Sequence, residues 1–123
     1  MTLEGALIAE SLRIGARIDG VALTVTTISR AELGDVDAGQ PRVWTFIEFE
    51  AADGEAGRLI DAFERALRPS GGWYCDFRND AETFVVFADR SFRYPRGDRD
   101  GRAAATEYGR SVGVPEAQLD WPV

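Results

Sequence analysis

The sequence predicts an α+β fold: a two-layer sandwich with a mainly antiparallel sheet and helices on one of its faces. Three observations predict it. Two stretches of period-two apolar alternation, residues 21 to 30 and 43 to 50, are followed by Ala56, Leu59, Ile60, Phe63 and Leu67 at helical spacing. A second pair of β-rich runs, residues 73 to 78 and 83 to 89, precedes a second helical stretch. Finally, 45% apolar and 11% aromatic residues in a chain of 123 suffice for one core, with no linker long enough to divide it, so residues 1 to 123 are expected to form one domain.

In chain order, Leu3, Leu7, Ile8 and Leu12 recur at spacings that line one side of a short N-terminal helix. Asp19-Gly20 suits a tight turn before the alternation of Val21, Leu23 and Val25, which predicts a strand to about residue 30. Residues 32 to 42, with three acids, two glycines and Pro41, read as a polar loop. Val43, Thr45, Ile47 and Phe49 alternate with Trp44, Phe46, Glu48 and Glu50, a strand with one apolar and one mixed face. Asp53 is placed to cap the next helix, which Pro69 and Gly71-Gly72 stop. The runs 73 to 78 and 83 to 89 should pair about an Asn79-Asp80 turn, the second being apolar on both faces as a central strand would be. Strand character resumes at Phe92 and Tyr94. Asp98 or Asp100 then caps a helix to about Val112, ended by Gly113, and Pro115 opens a last short turn. After the N-terminal helix the order is therefore ββαββα, which suggests a ferredoxin-like arrangement.

All fourteen basic residues are arginine, with no lysine and no histidine. The usual general base near neutral pH and the Schiff-base nucleophile are both missing, which lowers the expectation of catalysis. Cys75 shares strand parity with Trp73 and Phe77 and has Asp76 beside it, the setting of a buried structural thiol rather than an activated nucleophile. One cysteine, no basic leader and no apolar run of about 18 residues point to a cytoplasmic protein without a membrane span. Asp35 with Asp37, or Glu48 with Glu50, could suggest paired carboxylates, but no third ligand lies at a diagnostic spacing, so neither a metal nor a cofactor is expected.

A net charge of −7 argues against nucleic acid as the partner. Residues 90 to 110 nevertheless carry a local +3, with Arg90, Arg93, Arg96, Arg99 and Arg102 interleaved with Phe92 and Tyr94. This edge leaves room for a small anionic ligand, although Asp98 and Asp100 sit inside it and no phosphate loop accompanies it.

The C-terminal half, with Trp73-Tyr74-Cys75-Asp76-Phe77, Thr83-Phe84-Val85-Val86-Phe87 and Gly113 to Trp121, resembles a small uncharacterised bacterial protein family. The likeness covers about half the chain and implies no particular activity.

The strongest functional expectation is a sheet face. With Val43, Ile47, Phe49, Trp73, Cys75 and Phe77 beneath the helices, the opposite side holds Thr24, Thr26, Trp44, Phe46, Glu48, Tyr74, Asp76, Arg78, Phe84 and Val86. An aromatic and charged face of this kind suits a non-enzymatic binding or regulatory module, acting as a homodimer or on a protein partner through Trp44, Phe46, Glu48, Tyr74, Asp76 and Arg78. The competing expectation is a small enzyme or ligand-binding protein with a pocket formed by Tyr74, Asp76, Arg78 and Glu48. A flat face would favour the first, and an apolar cavity holding a carboxylate of raised pKa the second.

Overall fold

A computed structural model describes residues 1–34, 36 and 39–123. Its strands are β1 (Thr2–Ile8), β2 (Thr24–Glu32), β3 (Val43–Ala52), β4 (Cys75–Arg78), β5 (Glu82–Phe87) and β6 (Arg90–Pro95); its helices are α1 (Ala56–Ala66) and α2 (Arg99–Ser111). Short 3-10 turns occupy Ala9–Ser11, Asp53–Glu55 and Glu116–Gln118. The strands form one sheet in the order β2-β3-β1-β4-β5-β6, and every neighbouring pair is antiparallel.

The fold is α+β, as expected, but it is not ββαββα. Each half contributes three strands before its helix, and the strand order departs from the ferredoxin-like one. The extra strand in the first half is the segment expected to be helical. Leu3 and Leu7 are four residues apart, a spacing that also satisfies the two-residue period of a strand. Gly5 between them disfavours a helix and permits a close strand crossing: a Cβ there would lie 2.5 Å from Phe77 Cβ and 2.6 Å from the Asp76 carbonyl oxygen. β1 thus occupies the middle of the sheet, hydrogen-bonded to β3 on one side and β4 on the other.

α1 packs one face of the sheet. Leu59, Phe63 and Leu67 meet Leu3 and Leu7 of β1, Phe49 and Ala51 of β3, Cys75 and Phe77 of β4, and Phe84 and Val86 of β5. Asp53 does not cap α1. Its carboxylate accepts from Asn79 Nδ2 at 3.0 Å, and the Asp53–Glu55 turn leads into the helix with no side-chain cap. Phe84 and Val86 were expected on the open side, but they pair directly with Phe77 and Cys75 and so share the α1 face. The two rings of Phe77 and Phe84 stack at 4.8 Å.

The helices do not share one face. Val85, Phe87 and Tyr94 point away from α1 and pack with Ala105 of α2, Val114, Leu119 and Trp121. Both sides of β5 are therefore buried, the pattern its run of apolar residues predicted. α2 is capped by Asp98, whose Oδ1 accepts from the Gly101 N–H at 3.2 Å. Past α2 the chain turns back through Glu116–Gln118, and residues 117 to 121 form a strap along the α2 side of the sheet. The result is a sheet whose β1, β3, β4 and β5 strands are covered by α1 on one face, with α2 and the strap covering the β5–β6 end of the other and edge strand β2 exposed along its length.

Candidate functional site

The face left open beyond α2 belongs to β1, β3 and β4. Register fixes its content: Glu4 pairs with Glu50 and Arg78, Ala6 with Glu48 and Asp76, and Ile8 with Phe46. Strand alternation adds Trp44 to the same side of β3. The N-terminal segment, expected to be helical, is instead one of its strands.

Two adjoining clefts occupy the face and share Ala6 and Asp76. The first, of about 340 Å³, is aromatic: Trp44, Phe46, Trp73 and Tyr74 line it with Ala6, Ile8 and Leu33, and Gln118 and Asp120 of the strap close one side. The second, of about 330 Å³, is polar and lined by Glu4, Thr26, Glu48, Glu50, Asp76 and Arg78. The structure thus gathers all six residues singled out from the sequence, with Trp44, Phe46 and Tyr74 in the aromatic cleft, Glu48 and Arg78 in the polar one, and Asp76 at their junction.

Trp44 is buried rather than exposed at the centre of the face. Its ring lies 5.2 Å from that of Trp73, and its Nε1 donates to the Pro41 carbonyl at 2.8 Å. Trp73 was expected beneath α1 with Cys75. The glycines before it, Gly71 and Gly72, both have positive φ and end the strand alternation at Cys75, so Trp73 turns towards the cleft. Cys75 itself is fully buried against the Ala6 carbonyl (3.3 Å), and burial, followed by the charge of Asp76, raises its thiol well above the ordinary value.

The electrostatics of the junction centre on Asp76. Burial pushes its carboxyl up to about 6; the Asp120 carboxylate adds to the rise and the Arg78 guanidinium opposes it. No side chain among the described residues donates a hydrogen bond to the Asp76 carboxylate, and no ion pair reaches it within 4 Å. Next to it the Tyr74 hydroxyl lies 2.6 Å from the Gln118 carbonyl oxygen and 2.9 Å from Asp120 Oδ1. Burial, then the charges of Asp120 and Asp76, hold the phenol far above its usual range, so it remains a neutral donor.

Gln118 and Asp120 were not singled out from the sequence, nor was Gln40, whose buried side-chain amide exchanges hydrogen bonds with that of Gln118 at 2.9 and 3.3 Å and donates to the Gly71 carbonyl. The pair joins residues 78 apart in the chain. Two buried glutamines that satisfy each other have no local pattern, so sequence offered only the indirect signal of a short turn ending in Leu119 and Trp121.

The arginine and aromatic run is largely engaged within the fold. Arg93 forms a forked pair with Glu82 at 2.7 and 2.8 Å, Arg102 donates to the carbonyls of Leu119 and Trp121, and Arg90 lies over the rings of Phe92 and Tyr108. Asp35 and Asp37 lie outside the described residues. Among the described residues no group of three His, Cys, Asp or Glu side chains converges as a metal site, and no helix is long and apolar enough to cross a membrane. No family model, curated protein or solved structure matches the chain.

Proposed function

We propose that the protein is a non-enzymatic binding module that takes its partner into the cleft framed by β1, β3, β4 and the 117–121 strap. The observation that carries the reading is the concavity: four aromatic side chains and a half-buried carboxylate with no ion pair line one hollow on the sheet face. A hollow suits a protruding group of another protein or a small molecule better than the flat, self-complementary contact of a homodimer. A cytoplasmic setting accords with the single buried cysteine.

A ligand survey by NMR tests this. Neutral, anionic and cationic fragments should shift the signals of Ala6, Phe46, Tyr74 and Gln118 and the indoles of Trp44 and Trp73. Fragments that collect instead around Arg90 and the rings of Phe92 and Tyr108, or at no common place, would sink the reading. The second reading, a small enzyme, is favoured by the Asp76 carboxyl near 6 in an apolar setting, where it could exchange a proton near neutral pH. In that case some bound fragments would be converted over hours in the same tubes.

A further inference from the structure

Resting on the cleft being the binding surface, we propose that the group it receives is a guanidinium, carried by an arginine side chain of a partner or by a small free compound. The hollow holds two carboxylates, Asp76 where it meets the polar cleft and Asp120 on its strap, among Trp44, Phe46, Trp73 and Tyr74. Among the described residues no arginine side chain lines this cleft. Arg78, whose charge acts on Asp76, lines the neighbouring polar cleft and forms no ion pair with it within 4 Å. The half-buried carboxylate therefore has no ion pair within the fold, only the more distant charge of Arg78, and a bound cation at contact distance would offset its burial further.

The aromatic lining selects among cations. A ring face attracts positive charge, and a guanidinium is planar, weakly hydrated and able to stack on a ring while its edge meets a carboxylate. A primary ammonium is more strongly hydrated and loses more on entering a partly closed apolar hollow. A volume of about 340 Å³ is at the small end for ligand sites, which suits one side chain or a compact molecule. The polar cleft next door, with Glu4, Glu48 and Glu50, extends the negative surface along the path of approach and disfavours anions.

The experiment titrates the full chain, followed by the Trp44 and Trp73 indole signals, with N-acetylarginine methylamide, its lysine counterpart and its neutral citrulline counterpart. Agmatine and a pentapeptide with one central arginine separate a free compound from a side chain in a peptide. The expected result is saturable binding of the arginine compound, with citrulline at least about tenfold weaker and lysine in between. Asp76→Asn should weaken arginine binding by about tenfold or more, Asp120→Asn by a smaller factor, and Arg90→Ala on the other end of the sheet should leave it unchanged. Because Asp120 is exposed, its variant tests the idea even if the Asp76 variant folds poorly. Equal binding of arginine and citrulline overturns the cation proposal and leaves the cleft as the binding surface. No response to arginine, with neutral fragments still bound in the cleft, does the same; fragments bound elsewhere overturn both.

Discussion

Asp76 shows how one side chain links burial to solution behaviour. Its carboxyl titrates near 6 in the folded chain, against an ordinary value of 3.8. The folded state thus binds the proton more tightly than the unfolded state. Stability from this group is complete below about pH 4 and is lost as pH rises through about 6. At about 1.4 kcal/mol per pKa unit, the ionised carboxylate costs the fold about 2 to 3 kcal/mol above pH 7. Asp76→Asn removes that penalty, so the difference in urea unfolding free energy between variant and wild type should grow in the variant's favour by about that amount from pH 4 to pH 7.5. A difference independent of pH would show that Asp76 is well solvated. Such a residue, unfavourable for folding yet placed in the hollow, fits a role in binding.

At the scale of elements, β1 decides the architecture. Its close crossing with β4 requires glycine at position 5, where an added Cβ would meet the Phe77 Cβ and the Asp76 backbone rather than a yielding side-chain tip. Gly5→Ala should therefore destabilise by about 1 to 3 kcal/mol, measured by urea unfolding, because the strands must separate to accept a methyl group. An unchanged midpoint would mean that the strands part without cost. β1 is also where the sequence was least legible: Leu3 and Leu7 fit both a helix and a strand, and only the tertiary pairing with β3 and β4 resolves them. By contrast β3 was legible from its alternation, and α1, the β4–β5 hairpin, α2 and the final turn from their punctuation: Pro69 and Gly71 after α1, Asn79 in the hairpin, Asp98 before α2, Gly113 after it and Pro115 at the turn. Strand β6 was readable only as a resumption of β character at Phe92 and Tyr94, and its register with β5 then set which face α2 covers.

For the whole molecule, the cleft depends on contacts between distant parts of the chain. Five of the six residues read from the strands came together because alternation along β3 and β4 is a local property, and Tyr74, just before β4, joins them through its contacts with the strap. The strap that walls the cleft was not legible, since its place depends on Trp121 packing against Tyr74 at 4.8 Å and against Phe87, and on the Gln40 and Gln118 pair. Trp121 is 1% exposed. Trp121→Ala should cost about 3 to 5 kcal/mol in urea unfolding, a large part of the stability of a domain this size. At temperatures where the variant stays folded, NMR signals of Tyr74 and Gln118 should move more than those of α1, which lies on the other face. Equal disturbance on both faces would mean that the strap supports the core at large rather than the cleft.

The central place of β1 also determines what a cut in the chain would do. Between β1 and β2 the backbone passes through exposed Ile14, Gly15 and Gly20, and added Cβ atoms at these two glycines would meet nothing within 4 Å. A protease nick there removes no hydrogen bond of the β1 ladders, so the two pieces should stay together and elute as one species, parting only in denaturant. The longer piece alone would have β3 and β4 separated by a strand-wide gap. A synthetic peptide of the first dozen residues, supplied in trans, would then act as a removable keystone, and the return of tryptophan fluorescence in the cleft would report its insertion.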